Sequence, residues 1–129
     1  MKQIGVDVFL DIHGDEALPY IFVAGCEGNP GYDARHAALE EQFKAAFMAA
    51  SPDFQDQYGY PKNEPGKANL SLATNYVGET FNCLAFTIEM PFKDNANLPD
   101  EEYGWSAERS ERLGRDVLTA VCGVLGSVR

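Results

Sequence analysis

Residues 6–12 read VDVFLDI, a run dominated by Val, Phe, Leu and Ile and too short to be a buried helix. Such a run suits a buried strand of a parallel or mixed sheet. It stops at His13-Gly14-Asp15-Glu16, a polar cluster with a glycine, so the strand is expected to give way to a loop at His13. Two further runs have the same character. Residues 18–24 (LPYIFVA) form a second strand, with Pro19 confined to its entry or to a sheet edge. Residues 83–90 (CLAFTIEM) form a third, in which Leu84, Phe86 and Ile88 alternate with Ala85, Thr87 and Glu89 until Pro91 ends it.

Helical stretches separate these strands. Residues 25–32 (GCEGNPGY) are punctuation, with three glycines and an Asn-Pro step. Asp33 is a credible N-cap for a helix over residues 34–50. Leu39, Phe43 and Phe47 share its inner face, Glu40, Glu41 and Lys44 are expected to face out, and Ser51-Pro52 closes it. His36, near its start, is expected at the surface. Residues 53–66 are a long irregular stretch of the kind that often carries function. A short helix is expected over residues 71–80, where Gly78 counts against it, and residues 95–102 are a polar loop. The last helix covers residues 106–125, with Leu113, Val117, Val121 and Val124 or Leu125 at helical spacing. Ser106 could cap it, although Ser106 with Arg109 is not a capping box.

Strands interleaved with helices predict an α/β fold: layers, with a mixed β-sheet flanked by helices. At 129 residues the chain is one domain at most. Few strands are visible, so a complete large sheet is not expected from these residues alone.

The charge narrows the partners. Twenty Asp and Glu against ten Lys and Arg give a net charge of -10. A phosphate-binding surface needs clustered Lys and Arg, so no nucleic-acid role is expected. No segment approaches the roughly 18 apolar residues of a membrane span. Cys26, Cys83 and Cys122 are far apart and odd in number, with no CxxC pair. They read as reduced, mostly buried thiols of a cytoplasmic protein.

Two residues stand out chemically. His13 follows a buried strand, and ligands in open α/β sheets bind beyond the carboxyl ends of strands. An imidazole there could ligate a metal; a loop histidine bonded to backbone is the plainer alternative. Glu89 is a charge inside an apolar strand, so it lies either on a solvent face or in a site. Asp11 shares the facing of His13 and could orient it. Asp15 and Glu16 follow as possible ligands, hydrogen-bond partners or solvated charges.

Phe9-Leu10-Asp11-Ile12-His13-Gly14-Asp15-Glu16 resembles the third-ligand strand of the zinc metallocarboxypeptidases of peptidase family M14, nearest the bacterial, cytosolic-carboxypeptidase-like branch. Phe86-Thr87-Ile88-Glu89-Met90 resembles that family's catalytic-glutamate strand. The two stand in family order, 76 residues apart, and the resemblance covers essentially the whole chain. It implies that His13 binds zinc and that Glu89 activates the zinc-bound water. The substrate would then be the C-terminus of a peptide or protein, and the product the chain less its last residue. The family also supplies a mobile tyrosine between the two motifs, for which Tyr58, Tyr60 and Tyr76 are candidates. Lys67, in the same region, could meet an anionic group of the substrate. Tyr76 and Lys67 are taken as the substrate-binding pair.

The departures are equally specific. No His-x-x-Glu pair occurs; the other histidine, His36, is followed by Ala37, Ala38 and Leu39. The asparagine-arginine region that grips the substrate carboxylate is also missing. The chain therefore reads as the C-terminal portion of a zinc carboxypeptidase catalytic domain, inactive by itself. Two alternatives stand beside this. One is a non-catalytic fragment or pseudoenzyme that associates with itself or a partner through exposed sheet edges. The other is a hydrolase of non-peptide amides.

Overall fold

The computed structural model describes residues 4–128. Its elements run β1 (Val8–Asp15), β2 (Phe22–Ala24), α1 (Ala34–Ala50), α2 (Ala73–Phe81), β3 (Leu84–Pro91) and α3 (Ala107–Val124). The sheet order is β1-β3-β2, with β1 parallel and β2 antiparallel to β3. The α/β fold with a mixed sheet is as the sequence predicts.

Alternation along the strands divides the core. Leu84, Phe86 and Ile88 join Phe43, Phe47, Leu113, Val117, Ala120 and Val124 in the main cluster, so α1 and α3 pack on that face. Val8 and Leu10 of β1 lean on the same cluster. Ala85 faces the other way, into a smaller cluster with Cys26, Val77 and Cys83, and Phe9 packs there from β1. α2 covers this second face. Phe22, Phe43, Phe47 and Phe86 are fully buried, each stabilising the fold by about 1.5–3 kcal/mol through loss of apolar surface to water.

Several sequence expectations are corrected. β1 does not stop before His13 but continues through it to Asp15, because pairing with β3 extends to Pro91. The second strand is only Phe22–Ala24, since Pro19 and Tyr20 lie ahead of the antiparallel pairing. His36 is buried rather than at the surface. It completes a capping box: the Asp33 carboxylate accepts from the His36 backbone N–H at 3.0 Å, and the His36 ring takes the Asp33 backbone N–H at 3.3 Å. Glu40 and Lys44 are also buried, on a second inward face of α1; of the three charges expected to face out, only Glu41 does. α2 survives its glycine because Gly78 is where the helix meets Cys26: a Cβ there would stand 2.4 Å from the Cys26 sulfur. Ser106 does cap α3, accepting the Arg109 N–H at 3.2 Å.

Candidate functional site

The parallel register of β1 and β3 pairs Asp11 with Thr87 and His13 with Glu89. Register partners on parallel strands project to the same side of a sheet. All four side chains line one cleft of about 710 Å³. Glycine and tyrosine of the 53–66 loop (Tyr58, Gly59, Tyr60) form one wall and Thr74 and Asn75 at the start of α2 another. Glu40 and Lys44 also reach it from α1.

Asp11 Oδ1 lies 3.0 Å from His13 Nε2. A ring proton on Nε2 would suit this contact and leave the Nδ1 lone pair for a metal, the arrangement in which a carboxylate orients a metal-binding imidazole. The His13 side chain is half exposed, at 52%.

Glu89 is buried, at 4% exposure, because β3 is covered on both faces; the half-exposed strand that would have made it an ordinary surface charge is not found. Its Oε1 accepts from the Tyr60 hydroxyl at 3.1 Å, while its Oε2 is buried without a hydrogen-bond partner among the described residues. Burial raises the carboxyl above its ordinary value, partly offset by the Tyr60 hydrogen bond and the nearby His13. A carboxylate shifted towards neutrality is a better proton acceptor at working pH.

Tyr60 is held from two sides. Its hydroxyl donates to Asp15 Oδ2 at 2.5 Å, and its ring meets Phe22 edge-on at 4.9 Å. Burial and the two carboxylates push its pKa well above the usual phenol value. Asp15 is fixed in turn by the backbone N–H groups of Ala17 and Leu18, at 2.6 and 2.7 Å, and its carboxyl sits below the ordinary value, chiefly through Tyr60. The buried Gln55 ties down the approach to Tyr60. Its amide donates to the carbonyls of Ile21 and Tyr58, and its oxygen accepts from the N–H groups of Gln57 and Tyr58.

A buried polar floor lies behind the cleft. Glu40 accepts from the Cys26 backbone N–H and the Tyr32 hydroxyl, both at 2.9 Å. Gly25 makes this possible, since a Cβ there would lie 2.3 Å from the Glu40 carboxylate. Burial raises the Glu40 carboxyl. The Cys26 thiol is pushed up to about 12 by burial first and Glu40 next, so it stays protonated and unreactive. The Thr74 and Thr87 hydroxyls bond at 2.8 Å, linking α2 to β3 inside the cleft.

Of the residues singled out in the sequence, His13, Glu89 and Asp11 come together around the cleft. Asp15 reaches Glu89 through Tyr60. Glu16 and Lys67 are exposed, as is Tyr76 on α2, and none of the three is among the cleft-lining residues. The contributions of Gln55 and Glu40 escaped sequence reasoning. Glu40 had one visible signal: it lies one turn from both His36 and Lys44, so the three form a stripe beside Leu39, Phe43 and Phe47.

His13 suits a metal ligand, but a catalytic zinc takes three protein ligands. Among the described residues no group of three or more His, Cys, Asp or Glu side chains is placed to hold a metal ion. The second histidine is spent on capping α1. The donor set therefore fits a share of a metal site and not the whole of one.

No protein-family model matches the sequence. Solved structures match it closely. The metallo-carboxypeptidase from Pseudomonas aeruginosa in complex with (2-guanidinoethylmercapto)succinic acid is 55% identical, with a TM-score of 0.97, over 100% of this chain and 34% of that one. The metallo-carboxypeptidase from Burkholderia cenocepacia is 50% identical, with a TM-score of 0.90, over 95% of this chain and 33% of that one. A protein of Zymomonas mobilis described as uncharacterised is 45% identical over 125 residues, 97% of this chain and 33% of its own length. The chain thus spans about a third of the length of the relatives it matches.

Proposed function

We propose, on the premise that this chain belongs to the bacterial metallo-carboxypeptidase family as a homologue of about a third of those chains, that it supplies one zinc ligand and the general base of a peptidase removing C-terminal residues. The observation that carries this is the shared register of His13 and Glu89 over one cleft, with Asp11 on the far nitrogen of the imidazole.

The geometry supports the following roles. When bound, a zinc ion in such an enzyme polarises the scissile carbonyl and acidifies a water. His13 offers Nδ1 as a ligand, oriented by Asp11. Glu89 takes the proton on Oε2, since Oε1 already faces Tyr60, and returns it to the departing amine. The remaining ligands and the group that binds the substrate carboxylate would come from the part of the domain that the relatives have and this chain does not match. This chain is read as the C-terminal portion of that catalytic domain.

Activity requires the rest of the domain. We expect the chain alone to release no C-terminal residues and to bind zinc weakly. Joined in frame to the complementary two thirds of the Pseudomonas aeruginosa enzyme, it should hydrolyse peptide C-termini, and Glu89→Gln or His13→Ala should abolish this. An undiminished rate in either variant of the joined form would remove the proposal.

One observation favours a second reading, association without catalysis. β1 lies at an edge of the sheet, and Ile12 on it is 54% exposed. An open apolar edge recruits another strand. Concentration-dependent sedimentation of the chain alone would reveal a self-associated form, and a monomer at all concentrations would dismiss it.

A further inference from the structure

The loop wall of the cleft does more than enclose it. Gln55 pins the loop to the backbone of Ile21 and Tyr58, and Gly59 lets it approach Phe22, whose ring would stand 3.1 Å from a Cβ at that position. Tyr20 stacks on Tyr58 at 4.6 Å, and Phe22 supports the Tyr60 ring. The result is a braced tyrosine whose hydroxyl reaches across to β3.

That hydroxyl has one proton and two carboxylate oxygens within reach. The contact to Asp15 Oδ2, at 2.5 Å, is the shorter; Glu89 Oε1, at 3.1 Å, is the longer. Asp15 is itself moored by two backbone N–H groups. So the chain of contacts runs from rigid backbone through Asp15 and Tyr60 to a single oxygen of Glu89. The opposite oxygen, Oε2, has no partner among the described residues.

We infer that Tyr60, anchored by Asp15, is a positioning residue that fixes the Glu89 carboxylate through Oε1 and so reserves Oε2 for proton transfer. This rests on the reading of Glu89 as the base, and it differs from substrate contact, the role that the family resemblance offers the tyrosines of this region. A glutamate side chain otherwise has three rotatable bonds, and misplacing a catalytic group by about 1 Å can cost on the order of 100-fold in rate.

Two measurements test it. In the joined catalytic form, Tyr60→Phe keeps the ring on Phe22 and deletes only the hydroxyl; kcat should fall about 10- to 100-fold with KM changed less than about twofold. Asp15→Asn, which keeps the phenol but weakens its mooring, should lower kcat by a smaller factor. A rise in KM at unchanged kcat would make Tyr60 a substrate contact and overturn the inference. In this chain alone, proton NMR at low temperature should show a downfield hydroxyl resonance that vanishes in Tyr60→Phe and moves in Glu89→Gln; a resonance indifferent to Glu89→Gln would likewise overturn it. If Glu89→Gln keeps full activity in the joined form while the hydroxyl resonance responds as expected, the reading of Glu89 as base fails and the contact stands. If Glu89→Gln is inactive but Tyr60→Phe is not impaired, the base stands and the positioning role fails.

Discussion

His13 and Glu89 stand side by side as register partners on adjacent parallel strands, β1 and β3. Each projects from the side of the sheet that carries α2, away from the main core. Their proximity is therefore fixed by backbone hydrogen bonding and not by loop conformation.

Because burial raises the Glu89 carboxyl above its ordinary 4.5, the folded state holds that proton more tightly than the unfolded chain. The contribution of Glu89 to stability is then complete below about pH 4.5 and is lost as pH rises through the folded value. Glu89→Gln removes this dependence. The Tm of the variant relative to the wild type should therefore rise between pH 4 and pH 8. Thermal denaturation across that range reads the change, and a pH-independent difference would contradict it.

The carboxylate of Asp11 lies 3.0 Å from His13 Nε2, where it would favour a ring proton on that nitrogen. In Asp11→Ala the preference for a proton on Nε2 should weaken, as read from the ring nitrogen shifts of His13 by NMR. In the joined catalytic form, zinc affinity measured by chelator competition should fall about 10- to 100-fold. An unchanged affinity would show that Asp11 does not orient the ring.

Gly78 should resist replacement. Alanine would improve helix propensity by about 1 kcal/mol, but its Cβ would stand 2.4 Å from the Cys26 sulfur. Overpacking of this kind costs about 1–3 kcal/mol, so Gly78→Ala should be neutral or destabilising in urea unfolding. A stabilised variant would mean that α2 can shift freely.

Arg109 is a buried cation that does not line the cleft. It pairs with Asp53 at 2.5 Å and Asp94 at 3.3 Å, and its guanidinium lies 4.9 Å from the Trp105 ring centroid. Asp53 is buried too. Arg109→Ala leaves that carboxylate without its cation and should cost about 3–5 kcal/mol in chemical denaturation, loosening residues 94–105. A loss below about 1 kcal/mol would show that water replaces the guanidinium at little cost.

Much of this fold is visible in the sequence because its strands alternate and its helices carry apolar stripes. The residues 83–90 run places Glu89 opposite Phe86 and Ile88, and the core confirms that division. What escaped was burial on the second face. Glu89 looked compatible with a solvent-facing strand because nothing local reveals that α2 and the 53–66 loop cover it. Glu40, Lys44 and His36 looked exposed because charge on a helix usually is; Lys44 pairs with Glu41 on α1 itself, but Cys26, Asp56 and Asp33, which also hold the three, lie outside the helix. Gly78 lowered the expectation of a helix where close packing on Cys26 demands a glycine. The Tyr60 contact depends on loop geometry, for which no periodic signal exists.

β1 and β3 pair in parallel, yet α1, α2 and a long irregular loop intervene between them along the chain. Contacts between such distant segments form slowly, since the intervening chain must be closed into a loop before they gain anything. The imidazole and the acid therefore meet only when the crossover has been completed. Disruption of that connection would part the two side chains even where the helices persist.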